Sequence, residues 1–205
     1  QKFSVLDEIK LKLFVDKNYD KIGMKDLNME RFKDTGHFIQ LMGVVRESEF
    51  VDNIPQNILT ALGKYEETLI RHCYLDFTMI MTKVIEYIDK NESFNTKLEV
   101  NIGYLIVDEY QDVNPVQEEI IKRLFQMGAN VCVVGDDDQT IFQWRGSDVN
   151  YIQKFRERYQ NVEYITLQDN FRSSKAVVDV ALACIENNIA RLPKAMIAKG
   201  FQQYE

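Results

Sequence analysis

The sequence predicts an α/β protein with a parallel sheet, preceded by a mainly helical part. Short apolar runs that end in acidic or polar residues recur in the C-terminal half, in NIGYLIVDE, ANVCVVGDDD and NVEYITLQDN. Because the runs are nearly continuous, we expect three strands buried on both faces. Segments with helical spacing alternate with these runs, and such alternation indicates parallel strands joined by crossovers. The N-terminal half has helical spacing instead.

The composition excludes some classes of function. The chain has 205 residues, and 45% of them are hydrophobic, which is enough for a hydrophobic core. No apolar run reaches the roughly 18 residues of a membrane span, and the N-terminus does not have the order of a secretory signal. We therefore expect a cytoplasmic protein without a membrane partner. The formal net charge of -7 argues against a protein that coats nucleic acid, although a narrow DNA track remains possible.

Two helices are predicted in the N-terminal part, within FSVLDEIKLKLFVDK and LDFTMIMTKVIEYIDK, because their apolar residues recur at intervals of three and four. The polar segments 51–55 and 91–96 are predicted to be loops. The three cysteines lie far apart in apolar surroundings, and we expect packed thiols rather than a zinc site or disulfides.

Three helices are predicted among the strands. The first has Asn114 as its cap, Pro115 in its first turn and Gly128 at its end. The second starts near Asp148 and runs through YIQKFRERY, and the third starts at Ser173. The ends of the strands between them are where ligands gather in parallel sheets.

Asp108 and Glu109 follow the first strand. Asp108 is placed to hold Mg²⁺, which prefers oxygen ligands and bridges to nucleotide phosphates. Glu109 is placed to orient or deprotonate an attacking water. Solvated acids without a function are also common at strand ends, and that alternative applies to any isolated Asp-Glu pair.

The stretch after the second strand is GDDDQTIFQWRG. Gln139 has both a donor and an acceptor and can contact a terminal phosphate. Phe142, Trp144 and Arg145 suit single-stranded nucleic acid, because a base stacked on an aromatic ring contributes about 1–3 kcal/mol. A place in the core is the alternative for both rings. For at least two members of the triplet 136–138 we expect a solvated acidic turn rather than a metal cluster.

Arg172 and Phe171 lie between the third strand and the third helix. From that position Arg172 can reach a phosphate across a cleft, and Phe171 can offer a ring face to a nucleobase. The alternative is a surface arginine at a helix start.

In this order and spacing, DEYQD, VVGDDDQTIFQWRG and NFRSS resemble motifs II, III and IV of the UvrD/Rep-like superfamily 1 DNA helicases. The similarity covers roughly residues 104–199, and LDFTMIM and RLPKAMIAKG add weaker support. The resemblance implies a RecA-like fold of the P-loop NTPase superfamily. It also implies a motor that couples Mg-ATP hydrolysis to movement on single-stranded DNA and to unwinding of duplex DNA, in DNA repair or replication.

The resemblance further implies residue roles. At the nucleotide site the residues and roles are Asp108 (Mg²⁺), Glu109 (activation of water), Gln139 and Arg172 (γ-phosphate) and Phe171 (adenine). On the DNA side the residues are Phe142, Trp144 and Arg145. The implied domains are a helical accessory subdomain at 1–98, the second half of the first RecA-like motor domain at 99–162, and the start of the second at 163–205.

One expected motif is absent, because no Gly-x-x-x-x-Gly-Lys-[Ser/Thr] loop occurs in the sequence. That loop holds ATP phosphates. The sequence also starts at Gln1 rather than at methionine. We therefore expect a part of a longer helicase, with the rest of its own chain as a partner and no efficient ATP hydrolysis by itself. Two alternatives are a non-catalytic remnant that binds single-stranded DNA or a protein, and an unrelated Mg²⁺-dependent phosphohydrolase built on Asp108 and the turn at Asp136.

Overall fold

Helices dominate the N-terminal part of the protein. The computed structural model describes residues 2–47, 54–141 and 147–200. The N-terminal helices are α1 (Glu8–Lys17), α2 (Thr35–Glu47), α3 (Gln56–Arg71), α4 (Phe77–Lys90) and α5 (Glu92–Asn101). Two short strands, β1 (Ser4–Val5) and β2 (Tyr74–Leu75), pair in parallel beside them. The two helices predicted from sequence spacing are therefore confirmed as α1 and α4.

Local capping explains where these two helices begin. The Asp7 carboxylate accepts the backbone N–H of Lys10 at 2.9 Å at the start of α1. The Asp76 carboxylate accepts the backbone N–H of Met79 at 2.8 Å at the start of α4. Each bond satisfies an N–H group that has no partner within its helix.

A buried apolar cluster holds α1 to α4 together. Its members are Leu6, Leu11, Phe14, Val15, Ile22, Met24, Phe38, Met42, Ala61, Tyr65, Leu69 and Met79. The turn after α1 passes close to α3, because a Cβ added at Gly23 would lie 2.7 Å from the Cα of Ala61. Gly23 also has a φ of +88°, so both space and backbone conformation require glycine there.

The loop prediction for 91–96 is wrong, because α5 begins at Glu92. The Asn91 side chain accepts the backbone N–H of Phe94 at 2.9 Å and caps α5. The polar residues therefore start a helix rather than bridge two elements. The other predicted loop, 51–55, lies largely outside the described residues.

The C-terminal half alternates short strands and helices. The strands are β3 (Tyr104–Val107), β4 (Asn130–Val133), β5 (Asp169–Asn170) and β6 (Ile197–Ala198). The helices are α6 (Pro115–Gln126), α7 (Asn150–Gln153), α8 (Phe155–Arg158) and α9 (Lys175–Ile185). β3 pairs with β4 in parallel, and β5 pairs with β6 in parallel. The α/β class and the parallel order of the first two predicted strands are confirmed.

The first crossover helix, α6, starts and ends as predicted. Asn114 and Gln117 form a capping box, Pro115 occupies the first turn, and Gly128 has a φ of +98° just after the helix. The helix predicted from Asp148 is instead two short helices, α7 and α8, with Lys154 between them. The third predicted helix is confirmed as α9.

The prediction of a third buried strand in NVEYITLQDN is wrong. Among the described residues, 161–168 have no strand assignment, and only Asp169 and Asn170 pair, with β6. A strand needs a neighbour for its N–H and C=O groups. In the described residues this run has such a bond only at its end, where the Gln168 carbonyl accepts the Ile197 N–H at 2.8 Å, and Leu167 is 86% exposed.

Strands β3 and β4 are also not buried on both faces. Tyr104 and Ile106 are 81% and 73% exposed, whereas Leu105 and Val107 pack against a second buried cluster. This cluster consists of Tyr110, Val113, Ile121, Tyr151 and Tyr159. The sheet therefore has one packed face and one open face in the described residues.

A buried carboxylate anchors the segment that follows β3. Glu118 on α6 is 1% exposed, and it accepts the hydroxyls of Tyr110 at 2.5 Å and Tyr159 at 2.8 Å. Arg158 pairs with the same carboxylate at 2.9 Å. Since a buried charge is tolerated only when it is paired and hydrogen-bonded, this network fixes Tyr110 and the turn beside it.

Two contacts join the helical part to α6 and its start. Asn114 donates to Glu47 at 2.8 Å, and Arg123 donates to Asp89 with both contacts at 2.9 Å. Burial raises the pKa of Glu47 to about 7, against the opposing charge of Arg46.

The expectation of packed thiols is wrong for two of the three cysteines. Cys132 and Cys184 are exposed, and Cys73 is partly buried. Separately, no helix in the described ranges combines the length and the apolar character needed to cross a membrane.

Candidate nucleotide site

The end of β3 presents two exposed carboxylates, Asp108 and Glu109. Glu109 has a φ of 51° in the left-handed region, which is uncommon for a residue with a Cβ. The Asp108 carboxylate stabilises this turn by accepting the backbone N–H of Glu109 at 2.9 Å. The backbone N–H of Tyr110 donates to the carbonyl of Val134 at 2.9 Å, so the turn is also fixed to the end of β4. Backbone strain of this kind clusters at functional sites.

Gln111 connects the ends of the two strands. Its side chain is 1% exposed. The amide Nε2 donates to Glu109 Oε2 at 2.6 Å, and the amide Oε1 accepts the backbone N–H of Asp136 at 3.0 Å. A Cβ added at Gly135 would lie 2.6 Å from that Oε1, so glycine allows the close approach of the two turns.

The turn after β4 holds Gln139 beside Asp136. Gln139 Nε2 donates to Asp136 Oδ2 at 2.9 Å, and the backbone N–H of Gln139 donates to the Asp136 carbonyl at 2.9 Å. Asp136 Oδ1 accepts the backbone N–H of Asp138 at 3.1 Å. Gln139 is exposed, so its amide oxygen can still accept a hydrogen bond from a ligand or water.

These bonds form one continuous network that joins Glu109 to Gln139 through Gln111 and Asp136. Three of the sequence-predicted site residues, Asp108, Glu109 and Gln139, therefore lie at neighbouring strand ends, and the network connects the last two.

The expected solvated acidic turn is not what the structure contains. The three carboxylates of Asp136, Asp137 and Asp138 form the one group of three possible metal ligands in the described residues, but Lys194 pairs with all of them. Asp137 is only 6% exposed. Because an ammonium group occupies the position between the oxygens, the turn does not fit a metal ion.

The charges in this turn stabilise each other. Burial alone would raise the pKa of Asp136, but the hydrogen bonds from Lys194 and Gln139 hold that pKa below its ordinary value. Burial alone would lower the pKa of Lys194, but its bonds to the three carboxylates raise it. Both groups therefore stay charged over a wide pH range.

Asp108 instead offers a carboxylate oxygen of the kind that a hard cation such as Mg²⁺ prefers. The Asp108 carboxylate is exposed at the strand end. Asp112, four residues on, has a buried Oδ1 without a hydrogen-bond partner in the described structure. Burial and the nearby charge of Glu109 raise the pKa of Asp112. An unsatisfied carboxylate oxygen near a second negative charge is an environment that Mg²⁺ would stabilise.

Arg172 and Phe171 lie beside β5, and both side chains are exposed. The Asn170 side chain accepts the backbone N–H groups of Arg172 at 3.0 Å and Ser173 at 2.8 Å. Within the described residues, neither side chain hydrogen-bonds to Glu109 or Gln139. The Asn170 bonds therefore fix the backbone of this turn, but the two side chains do not join the hydrogen-bond network of Glu109 and Gln139.

The predicted DNA-side residues Phe142, Trp144 and Arg145 lie outside the described residues, and their roles stay predictions. Sequence reasoning missed Gln111, Arg191 and Lys194. Gln111 stands within DEYQD, and the two cations stand within RLPK. Both stretches resemble the helicase family, but no role was predicted for these three residues. Their contacts with the turn after β4 span 25 positions for Gln111 and 53 for Arg191, and local patterns do not reveal such contacts.

Comparison with known proteins identifies the family. The chain matches the model of the UvrD/REP helicase N-terminal domain over residues 4–160. It is 37% identical to the ATP-dependent DNA helicase PcrA of Bacillus subtilis (strain 168) over 139 residues, which cover 68% of this chain and 19% of that protein. It is 34% identical to PcrA of Staphylococcus aureus (strain Mu50) over 150 residues, which cover 73% of this chain and 20% of that protein.

The chain spans about a fifth of the length of these relatives. The family match, by contrast, extends over more than half of the chain and includes the ends of both β3 and β4. On these grounds the resemblance seen in the sequence motifs is confirmed, and the chain belongs to the UvrD/REP helicase family.

Proposed function

We propose that this chain is part of an ATP-dependent DNA helicase that couples Mg-ATP hydrolysis to translocation on single-stranded DNA and to unwinding of duplex DNA. Membership of the family supports this function, and the relatives are named ATP-dependent DNA helicases. The observation that carries the proposal is the hydrogen-bonded connection between Glu109 and Gln139 through Gln111 and Asp136. It couples a candidate base to a candidate phosphate sensor. A role in repair or replication and a cytoplasmic location stay predictions.

Glu109 is the candidate general base for the attacking water. Its carboxylate is exposed, and one oxygen is held by the Gln111 amide at 2.6 Å. A base must stay within about 2.6–3.2 Å of the proton that it accepts. An amide donor on one oxygen orients the group and leaves the second oxygen for water.

Gln139 is the candidate sensor of the terminal phosphate. A neutral amide suits this task because it donates to a phosphate oxygen and accepts from water without adding charge. Its Nε2 already donates to Asp136 at 2.9 Å. The second N–H of this amide remains for a phosphate oxygen, so a phosphate bound at Gln139 would contact the same group that holds the turn through Asp136.

Asp108 is the candidate holder of Mg²⁺. The cation would neutralise phosphate charge on bound ATP. The residues of this chain provide oxygen ligands at the strand end, and Asp112 Oδ1 provides an unsatisfied acceptor. The phosphate-cradling loop is not in this sequence, so we propose that another segment of the full-length protein supplies it.

Phe171 and Arg172 are proposed to contact adenine and the γ-phosphate from the second motor domain. Both side chains are exposed, and Phe171 is 74% exposed. An exposed ring face is available for stacking on a nucleobase. We propose that residues 1–98 form a helical accessory subdomain. Residues 99–162 would then be the second half of the first RecA-like motor domain, and residues 163–205 the start of the second. Phe142, Trp144 and Arg145 stay the proposed DNA contacts.

The test is ATP hydrolysis by the full-length protein that contains this chain, with and without single-stranded DNA, compared with the 205-residue chain alone. We expect DNA-stimulated hydrolysis by the full-length protein and little or none by the chain. Absence of hydrolysis and of unwinding in the full-length protein would contradict the proposal. If such a protein still bound single-stranded DNA, the non-catalytic binding alternative would replace it.

The phosphohydrolase alternative has a separate control. A metal-dependent phosphatase activity of the chain alone, retained after Trp144→Ala, would support that alternative. We expect no such activity, because Lys194 already occupies the acidic turn on which it would depend.

A further inference from the structure

The segment that follows α9 contacts the acidic turn after β4. We name residues 191–194 the RLPK segment and residues 136–138 the acidic turn. Lys194 Nζ contacts all three carboxylates, Asp137 Oδ1 at 2.5 Å, Asp138 Oδ2 at 3.0 Å and Asp136 Oδ1 more closely. The side chain of Lys194 is 19% exposed, so these pairs are well shielded from solvent.

Other atoms of the RLPK segment reinforce this contact. Arg191 binds Asp138 through two bonds, Nε to Oδ1 at 3.0 Å and Nη2 to Oδ2 at 2.5 Å. The backbone N–H of Leu192 donates to Asp137 Oδ2 at 2.7 Å. A bidentate guanidinium and a backbone donor fix the direction of approach as well as the charge. The segment is therefore attached to the turn through side chains and backbone.

The acidic turn needs these cations. Three adjacent carboxylates repel one another, and the cost of that repulsion is larger away from bulk water. Lys194 and Arg191 supply two positive charges that compensate most of it. Without them the turn would have to rotate its carboxylates towards solvent.

Asp136 transmits the contact to the candidate site. Its Oδ1 binds Lys194, and its Oδ2 accepts Gln139 Nε2 at 2.9 Å. Because both oxygens belong to one rigid carboxylate, a rotation that follows loss of Lys194 also moves the acceptor of Gln139. The RLPK segment thereby affects a residue 55 positions earlier in the chain, counted from Lys194 to Gln139.

The other end of the RLPK segment leads to the turn with Phe171 and Arg172. Strand β6 follows Lys194 and pairs with β5. The backbone N–H of Lys199 donates to the Asn170 carbonyl at 2.7 Å, and Asn170 holds the backbone of Arg172. A short path of hydrogen bonds and backbone therefore joins Gln139 to the turn that carries Phe171 and Arg172.

We infer that Lys194 is a positioning residue that orients Gln139 through Asp136, and that the RLPK segment thereby couples Gln139 to the turn that carries Phe171 and Arg172. This inference rests on the proposed ATP hydrolysis for its catalytic part. Its structural part, the coupling of Lys194 to the Gln139 amide, does not depend on catalysis.

The test compares Lys194→Met with Lys194→Arg, which keeps the charge. Lys175→Met is the matched control, because Lys175 also pairs with a carboxylate, Asp179 at 2.5 Å, but its side chain is 80% exposed. The first readout is the NMR signal of the Gln139 side-chain amide in the folded 205-residue chain, or in the full-length protein if the chain alone does not fold. The second is kcat and KM for ATP in the full-length protein.

We expect Lys194→Met to shift the Gln139 amide signal and to lower kcat by about 10- to 100-fold, since a small misplacement of a reacting group can have an effect of that size. KM for ATP should change little. Lys194→Arg should restore much of kcat, and Lys175→Met should change neither readout. A merely structural ion pair would instead lower stability in Lys194→Met without a selective effect on kcat.

An unchanged Gln139 signal in a folded Lys194→Met variant would overturn the coupling. A shifted signal with wild-type kcat would overturn the positioning role. A wild-type protein that does not hydrolyse ATP would contradict the proposed function and the catalytic part of the inference together, whereas the amide signal would still decide the coupling by itself.

Discussion

The ends of β3 and β4 both carry consecutive carboxylates, but the two ends have different surroundings. At the β3 end, Asp108 and Glu109 are exposed, and their bonds are to a backbone N–H and to the Gln111 amide. At the β4 end, the acidic turn is paired with Lys194 and Arg191. The first end has carboxylate oxygens that can reach a ligand, whereas most of the negative charge at the second is compensated by two cations of the same chain.

This difference in partners determines what each set of carboxylates can do. A carboxylate that is oriented by a neutral amide retains its charge for a proton or a cation. A carboxylate that contacts an ammonium group stabilises the local structure and is a poor base. Under the proposed function, the β3 end provides the base and the β4 end provides support, and Gln111 connects them.

The largest expected effect is that of Glu109→Gln on catalysis. The substitution keeps the size of the side chain, and its amide oxygen can still accept from Gln111, but it removes the base. We therefore expect kcat for ATP hydrolysis by the full-length protein to fall by about 10²–10⁴-fold. Steady-state hydrolysis with single-stranded DNA measures this. Glu99→Gln, at an exposed position of α5, is the control and should hydrolyse ATP normally. Wild-type kcat in Glu109→Gln would remove the distinction between the two ends.

The next effect concerns stability. Asp137 is buried and accepts the Leu192 N–H and the Lys194 ammonium. Removal of the carboxylate in Asp137→Ala leaves both donors without this partner, and we expect a loss of about 2–4 kcal/mol in the free energy of unfolding. Asp108→Ala, at an exposed position, removes only the bond to the Glu109 N–H and should change that free energy by about 1 kcal/mol or less. Urea unfolding of the two variants compares them, and equal losses would contradict the division between the two ends.

Local patterns predicted the elements that depend on neighbouring residues. Helix α6 starts and ends as expected because Asn114, Pro115 and Gly128 act within one turn of its ends. The paired strands β3 and β4 were also predictable from short apolar runs. The predicted strand at 161–167 failed because pairing depends on a neighbour that the local sequence does not specify.

Contacts between residues distant in the sequence also limited the prediction of the candidate site. The motifs pointed to Asp108, Glu109 and Gln139, and the structure places them at neighbouring strand ends. The state of the acidic turn was not predictable, because its partners Arg191 and Lys194 stand 53 to 58 positions further along the chain. Tertiary contacts determine whether the three carboxylates are buried and paired, and the local sequence of three aspartates does not reveal whether such contacts exist.

A smaller effect is expected from Gly135→Ala. The added Cβ would lie 2.6 Å from Gln111 Oε1 and 2.8 Å from Ile152 Cδ1, so the two strand ends would have to separate. Overpacking of this kind costs about 1–3 kcal/mol, and thermal unfolding measures it. Gly63→Ala in α3 has no atom within 4 Å of the new Cβ, and we expect a gain of about 0.5–1 kcal/mol there. A neutral Gly135→Ala would mean that the connection between the ends is looser than the structure indicates.

The smallest effect is the pH dependence of the contact between Lys194 and Asp136. The folded-state pKa of Asp136 lies below its ordinary value of 3.8. The contact therefore contributes stability above pH 3.8 and loses it as pH falls through the lower folded value. The folded-state pKa of Lys194 lies above 10.5, so the contribution is present below pH 10.5 and is lost as pH rises through the higher value.

Thermal unfolding of the wild type and Lys194→Met across pH measures this contribution. We expect a constant difference between the two midpoints near neutral pH and a smaller difference in acid below pH 3.8. An exposed pair, Lys175 with Asp179, provides the comparison, and Lys175→Met should show a small difference at every pH. A midpoint difference for Lys194→Met that grows in acid would contradict the charge assignment.

The most direct test of the connection between the two strand ends is a double-mutant cycle on kcat for ATP hydrolysis by the full-length protein, with Gln111→Ala and Gln139→Ala. Residues in one hydrogen-bond network have non-additive effects, whereas independent residues have additive ones. We expect each single variant to lower kcat, and the double variant to be close to the more impaired single variant. Free energies of activation that add within about 0.3–0.5 kcal/mol, or single variants with wild-type kcat, would contradict a site in which Glu109 and Gln139 act as one unit.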